Sequence, residues 1–373
     1  MPARKVPSPA PGLEGGRSFV HLCELDLGPD PWPRLAEGSV PGRLSWNRGP
    51  DLPVSVRIRG AHSRKFPKRS LQVTMRGARL PDEPPAGHTV RRVHLNADFV
   101  DPTLLRSALC YSLFPALGVD APRWRHVHLI VSGEPAGLYV ALESVDDDFC
   151  RRRGWPLGPI FYAVNRNANL GLISPFTRTL KEPLEKGYFA LSGADPSPIR
   201  EMLMAINLAP AEDVPEVAAR WFDLDRYIHW VIGAVFVGNR DGFMHNYALY
   251  LEPTQRRFRI IPWDYDATWG IDIHGRSARL DRVPVTGWNK LSYRLFTHPH
   301  GRERFRRAFR TALDGPLAPD AVLPLIERLS HQLERWLDRD PYLAQVDYPA
   351  EIERLRRWAV DRRALLLREL DAL

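Results

Sequence analysis

The stretch Asn239–Gly270, NRDGFMHNYALYLEPTQRRFRIIPWDYDATWG, decides how this chain is read. It holds four polar residues able to do chemistry: Asp241, Asn246, Asp264 and Asp266. Just upstream, LDRYIHWVIGAVFV is strongly apolar and reads as a buried helix, with Asp223 and Asp225 as candidate caps. That helix delivers Asp241 to a loop at its end. YALYLE and RFRIIPW then read as two strands joined by PTQR. Pairing Glu252 with Phe258 sets Asn246 opposite Asp264, and directly opposed residues in an antiparallel ladder lie about 5 Å apart. The hairpin is therefore expected to place Asn246 beside Asp264 at its open end, where Asp241 also arrives.

One carboxamide and two or three carboxylates make a hard, all-oxygen donor set. Such a set suits Mg²⁺, which keeps several waters and shares substrate phosphates. The order is informative too. An Asp, an Asn five residues on, a hairpin and a further Asp follow the order of a protein-kinase catalytic loop and its metal-binding segment. In that scheme Asp241 takes the acceptor hydroxyl proton, while Asn246 and Asp264 hold Mg²⁺ against the phosphates. Asp266 either joins the metal set or caps the turn before Thr268. The same residues have a plain structural reading as well: D-x₄-N arises often by chance, and an Asp after a strand is often a turn former.

Working outward, the N-terminal half reads as strands. SFVHLCELDL (Ser18 to Leu27), VSVRIRG (Val54 to Gly60) and SLQVTMRG (Ser70 to Gly77) alternate apolar and polar residues. Pro-rich loops are expected around Pro29 to Pro41 and Pro81 to Pro85. A helix is expected from Pro102 to Leu117, with Asp101 as N-cap and Gly118 as its stop. A hairpin follows, RHVHLIVSG and GLYVALESV, with its turn at Gly133-Glu134. From about Asp147 the pattern turns mostly helical. In the last helix Ile352, Leu355, Ala359, Leu366 and Leu370 share an apolar stripe, with arginines on the outer face. The fold class expected is α+β in two lobes with a cleft between them, a β-rich lobe over about 17–145 and a helical lobe over about 146–373, preceded by a flexible Pro/Gly-rich tail at 1–16.

The 373 residues carry 52 basic and 44 acidic side chains, a formal charge of +8. Length and composition exclude a wholly disordered chain and a small disulfide scaffold. Only six of the basic residues are lysines, and two of them, Lys65 and Lys68, share the strand-to-strand loop RGAHSRKFPKRS (Arg59 to Ser70). That loop is the candidate phosphate contact from the β-rich lobe; a solvated basic turn is the plain alternative. The arginine excess reads either as codon usage or as a basic surface for an anionic partner. No aromatic-interleaved basic stripe extends from the loop, so a nucleic-acid contact lacks support. Cys23, Cys110 and Cys150 form no CxxC and no zinc spacing. The N-terminus lacks the apolar core of a signal peptide, and the longest apolar run, Tyr227 to Gly238, is too short for a bilayer. A soluble, intracellular protein is expected. P-loop, Rossmann, zincin and serine-hydrolase motifs find no match.

Taken together, these blocks resemble the CotH kinase family of spore-coat protein kinases. RIRGAHSRKFPKRSLQV resembles the family's RG-x-S-x₄-K-x-S phosphate loop, with His62 where a small residue is usual. DPTLLRSALCYSLFPALGV resembles its early helix, containing Arg106. GEPAGLYVALESVD resembles a further block, with Ser132 in place of the usual Asn just before it. NRDGFMHNYALY and IIPWDYDATWG resemble its two most specific blocks. The resemblance spans roughly Val54 to Gly270. It implies a reduced, atypical protein-kinase-like fold that uses ATP and Mg²⁺ to phosphorylate serines of spore coat proteins, in the mother-cell cytoplasm and the spore coat. Residue by residue it implies Asp241 as catalytic aspartate and Asn246 and Asp264 as metal ligands, with Asp266 beside them. Lys68 matches the phosphate-loop lysine, with Arg59 and Ser63 nearby. Glu143 matches a glutamate that would contact adenine, form an ion pair or serve structure. Two other classes stay open: a non-catalytic coat scaffold on a kinase-like fold, and a kinase-like transferase moving AMP.

Overall fold

The computed structural model describes residues 20–60, 63–77, 80–81 and 89–373. The expected tail at 1–16 lies outside the described residues. The architecture is mixed α+β. The first half forms a closed barrel in the order β1-β2-β3-β4-β7-β9-β8. Its strands are β1 (Val20–Asp26), β2 (Val40–Trp46), β3 (Leu52–Ile58), β4 (Leu71–Met75), β7 (Arg92–Asn96), β8 (Trp124–Val131) and β9 (Glu134–Glu143). A two-residue ladder, β5 (Leu80–Pro81) with β6 (Thr89–Val90), lies outside that circuit. Parallel pairing of β1 with β8 closes the barrel, which leaves it no open edge. The alternation in β3 and β4 explains the closure: Val54 and Val56, then Leu71, Val73 and Met75, point inward and are buried with Leu95, Val127 and Leu129. Each fully buried apolar side chain of this kind contributes roughly 1.5–3 kcal/mol.

The expected Pro-rich loop from Pro29 to Pro41 is instead a short helix, α1 (Pro31–Glu37), and the start of β2. Pro31 and Pro33 sit in its first turn, where their missing N–H groups cost nothing. The expected turn at Gly133-Glu134 falls one residue earlier, at Ser132-Gly133, both with positive φ (50° and 88°), as a two-residue hairpin turn demands. Helix α2 spans Arg106–Ala116, not Pro102 to Leu117. Asp101 does not cap it in the ordinary way. Its carboxylate folds inside a buried loop, accepting from the Thr103 and Arg106 backbone N–H groups (2.9 and 2.8 Å) and pairing with the Arg106 guanidinium. Gly118, at φ 76°, does end the helix region.

The second half is less purely helical than its sequence suggests. Between α3 (Asp147–Arg152) and the later helices it builds a four-stranded antiparallel sheet, β11-β10-β12-β13, from β10 (Ile160–Ala163), β11 (Tyr188–Ala190), β12 (Tyr247–Glu252) and β13 (Arg257–Pro262). Helices α4 (Ser197–Leu208), α5 (Val214–Trp221) and α6 (Leu224–Phe236) follow β11 in the chain, before β12. The Asp223 carboxylate caps α6 by accepting from the Arg226 N–H at 3.3 Å. The apolar reading of α6 holds: Tyr227, Trp230, Val231, Val235 and Phe236 are all buried in the larger core.

The chain ends in α7 (Lys290–Thr297), α8 (Pro299–Leu313), α9 (Pro319–Glu334) and α10 (Tyr348–Asp371). The five stripe residues of α10 are buried as expected. Not every arginine of α10 faces outward, however. Arg362 is fully buried and donates to the carbonyls of Val235 (2.8 Å), Val283 (2.7 Å) and Leu280. It adds a side-chain donor to the Val235 carbonyl near the end of α6, which also accepts from the Gly238 N–H at 3.1 Å.

Candidate active site

Helix α6 stops at Gly238, whose φ of 72° no ordinary residue adopts cheaply. A side chain there would also meet the Trp358 ring at 2.8 Å, and so would one at Gly270, φ 87°. One α10 indole thus seats both ends of the decisive stretch. Beyond Gly238, the buried Asn239 accepts from the Gly242 N–H at 2.8 Å through its side-chain oxygen. This tightens the turn that begins at Asp241. The Arg240 guanidinium lies 4.4 Å from the Trp288 ring, and Asp241 is half-buried.

The hairpin forms with a register one residue away from the one expected. Leu251, not Glu252, faces Phe258, and Glu252 faces Arg257. Arg256 takes φ 52° and donates its N–H to the Glu252 carbonyl at 2.9 Å, which closes the loop one residue earlier. As a result Asn246 faces Trp263, whose N–H donates to the Asn246 carbonyl at 3.1 Å, and Asp264 is the next residue along. Asn246 also donates its own N–H to Ala163 O of β10 at 3.1 Å, so its backbone is clamped from both sides. The Asp264 N–H donates to the Tyr111 hydroxyl of α2 at 3.0 Å. Asp264 is exposed, and Asp266 and Asn246 are half-buried.

A further carboxylate, Asp98, joins from the barrel side. It follows β7, is buried, takes φ 42° and leaves Oδ2 without a hydrogen-bond partner. Burial pushes its pKa up to about 7; the Ser107 hydroxyl opposes that shift, the Asp101 and Asp264 carboxylates reinforce it, and Lys68 offsets part of it. Burial and the Asp264 and Asp98 carboxylates likewise hold Asp266 well above the usual carboxylate range. Crowded carboxylates with an orphaned buried oxygen fit a divalent cation, which would relieve their repulsion. Among the described residues no group of three or more His, Cys, Asp or Glu side chains is placed to hold a metal ion by itself. His245 sits in the field of both Asp241 and Asp264, yet burial still lowers its pKa.

The residues of the expected phosphate loop divide. Arg59 bonds the Asn96 side-chain oxygen and lies 5.2 Å from the Trp263 ring, next to the hairpin's open end. Ser63 opens a single 3₁₀ turn, Ser63–Lys65; its side chain and the whole of His62 lie outside the described residues. Lys68 is 3% exposed and already has two partners: Leu138 O at 2.5 Å and Asp340 Oδ2 at 2.7 Å. Burial lowers its pKa, and Asp340 counters that shift. Glu143 has its oxygens filled by Arg152, Arg153 (3.0 and 3.2 Å) and the Arg123 N–H (2.9 Å). Of the three roles open to it, the ion pair is the one observed.

A sequence model of the CotH kinase proteins matches residues 56–366. The chain is 33% identical over 327 residues to the inner spore coat protein H of Bacillus subtilis, covering 87% of this chain and 88% of that protein. The chain belongs to the CotH kinase protein family. A second B. subtilis relative, the inner spore coat protein H-like protein, is 22% identical over 270 residues, covering 70% of this chain and 75% of that one. Among solved structures, the Helicobacter pylori proinflammatory kinase CtkA aligns over 89% of this chain and 90% of its own, at 10% identity and a TM-score of 0.30. The Shewanella oneidensis HipA, HipB and operator DNA complex aligns over 81% of this chain and 59% of its own, at 11% identity and a TM-score of 0.32. Likenesses this slight carry no argument about the site.

Three further residues, in contact with or in the field of the expected site residues, escape a reading of the motifs. Asp98 belongs to no motif, although LNADFVD sets two aspartates between a strand and a helix. Asp340 lies 272 residues from its partner Lys68, so no local pattern could join them. His245 was in plain view between Asp241 and Asn246.

Proposed function

We propose that this chain is an ATP- and Mg²⁺-dependent protein kinase that phosphorylates serines of spore coat proteins, on a kinase-like fold of two lobes. The observation that carries this reading is the convergence, at one end of the β12–β13 hairpin, of Asp264 and Asn246 with Asp241 from the end of α6. The name of its B. subtilis relative, an inner spore coat protein, supports the choice of coat proteins as acceptors and of the spore coat as a location, with the mother-cell cytoplasm proposed beside it. Among the described residues no helix is long and apolar enough to cross a membrane.

In this reading Asp241 orients the acceptor hydroxyl and receives its proton. The serine oxygen bonds the γ-phosphorus, the bond from that phosphorus to the β–γ bridging oxygen breaks, and ADP leaves with that electron pair. Asn246, Asp264 and Asp266 would hold Mg²⁺, which when bound neutralises phosphate charge. Arg59, Ser63 and Lys68 belong to the loop that approaches the phosphates. Glu143 keeps the end of β9 and α3 together through its arginines. The deciding experiment incubates the full chain with γ-labelled ATP, Mg²⁺ and a serine-rich coat protein. Transfer of one phosphate supports the proposal. Transfer of a nucleotide monophosphate, read by mass, or no turnover at all overturns it.

A further inference from the structure

Asp340 closes a short turn, Leu337–Arg339, between α9 and α10, and only 1% of it is exposed. Its carboxylate is fully engaged. Oδ2 accepts from the Leu138 N–H at 2.8 Å and from Lys68 Nζ at 2.7 Å, and Oδ1 accepts from the Tyr342 N–H at 2.9 Å. Gly137 leaves room for it, because a side chain there would meet the carboxylate at 2.7 Å. The C-terminal segment therefore reaches into the barrel wall beside β9 and holds the lysine that ends the strand-to-strand loop.

Lys68 has three protons to donate, and Leu138 O and Asp340 take two. The Tyr139 and Tyr342 rings flank Nζ at 5.0 and 5.9 Å. The charge of Lys68 is felt by Asp98 and Asp101, and that of Asp98 by Asp264. Leu138 O and Asp340 thus hold the Lys68 ammonium in place with one N–H unspent, within electrostatic reach of Asp98 and Asp101.

We propose that Asp340 is a positioning residue for nucleotide binding: it orients Lys68 so that its remaining N–H meets a phosphate oxygen, and it thereby ties the C-terminal helices to the phosphate loop. This rests on the kinase reading given above. A buried ion pair serving only as a staple would contribute to stability without touching nucleotide affinity.

The test uses the full chain and compares wild type with Asp340→Asn, Asp340→Glu, Lys68→Ala and the double variant Lys68→Ala/Asp340→Asn. Two quantities are read: the thermal shift produced by Mg·ATP, and KM for ATP against kcat. Asp340→Asn is expected to raise KM for ATP about tenfold, the weight of one charge-assisted hydrogen bond, with kcat changed much less. Asp340→Glu should restore part of the loss, and the double variant should be no worse than Lys68→Ala. If Asp340→Asn lowers the melting temperature while KM stays within twofold, the pair is a staple and the proposal fails. Should the single variants not fold, Lys68→Met/Asp340→Leu removes both buried charges; unchanged Mg·ATP affinity in that protein also overturns the proposal. A wild-type chain that shows no Mg·ATP shift would instead remove the kinase reading beneath it.

Discussion

Asn246 and Asp264 leave the open end of one hairpin through the same backbone conformation, with φ of 61° and 60°. Left-handed backbone is uncommon for residues other than glycine, and Asn and Asp are the ones that tolerate it best. The two strands thus turn out of the sheet at adjacent positions, one clamped by Ala163 and Trp263, the other by the Tyr111 hydroxyl. The residue types that suit the turn are also the types that suit a hard cation, so a variant has to separate the two roles.

Asp264→Asn does so. Asparagine keeps the tolerance for positive φ and nearly the same volume, so the melting temperature should stay close to wild type. The lost negative charge should weaken Mg²⁺-dependent nucleotide binding by tenfold or more, since carboxylate charge supplies much of the affinity for a hard divalent ion. Calorimetric titration with ATP, with and without Mg²⁺, measures it. An Mg²⁺ dependence equal to that of wild type would leave Asp264 as a turn residue only.

The two loop lysines should behave differently. Lys65 is exposed, whereas Lys68 is buried against Asp340. Lys68→Ala should lower kcat/KM for ATP by roughly tenfold or more and also destabilise the fold, because it strands the Asp340 carboxylate. Lys65→Ala should do neither beyond about twofold, as exposed charges contribute little. Parallel kinetics and melting curves decide the matter; equal effects from the two variants would deny the loop a privileged lysine.

How legible all this was varies with distance along the chain. β1, β3 and β4 were readable because the barrel buries alternate residues, which leaves a period of two in the sequence. α6 was readable because nearly every face of it is buried. The hairpin register slipped by one because a left-handed Arg256 is invisible to pattern reading. β2 and α1 hid under prolines that sit in a first turn and in a strand whose neighbours pair around it. β10 and β11, at four and three residues, are too short for any periodicity. The Lys68–Asp340 pair and the inward Arg362 depend on contacts between distant segments, and local propensity carries no trace of those.

His126 should contribute stability that is lost as pH drops. This imidazole is buried, and Nε2 lies 2.9 Å from Leu104 O. Burial is the main cause that lowers its pKa from the ordinary 6.5 to about 4. Between those two values the unfolded chain binds more protons than the folded one, so stability rises with pH across the window and is lost as pH falls through it. A shift of that size corresponds to something on the order of 3 kcal/mol once both states are protonated. The crowded Asp98 works in the opposite sense, so the comparison must be made against a variant. His126→Gln should remove a rising component from urea-derived stability between about pH 4 and 6.5. Superimposable pH profiles for the two proteins would show that His126 does not titrate in this way.

Asp241 bears most of the enzyme claim. It begins the turn after α6, its backbone carbonyl accepts from the Met244 and His245 N–H groups at 3.0 and 2.9 Å, and its side chain is half-buried. The turn is thus held by the main chain and by Asn239, not by the Asp241 carboxylate. Asp241→Asn should therefore fold normally and bind Mg·ATP with near wild-type affinity. Transfer to the acceptor should nonetheless drop by about 10²–10⁴-fold, the usual contribution of a positioned general base. A residue that only tied down the loop would give the reverse pattern: a lower melting temperature and near-normal turnover per folded molecule. Single-turnover transfer to a serine-rich coat protein, normalised to folded protein, separates these outcomes. Turnover within a few-fold of wild type would take Asp241 out of the chemistry and favour a coat scaffold built on this fold.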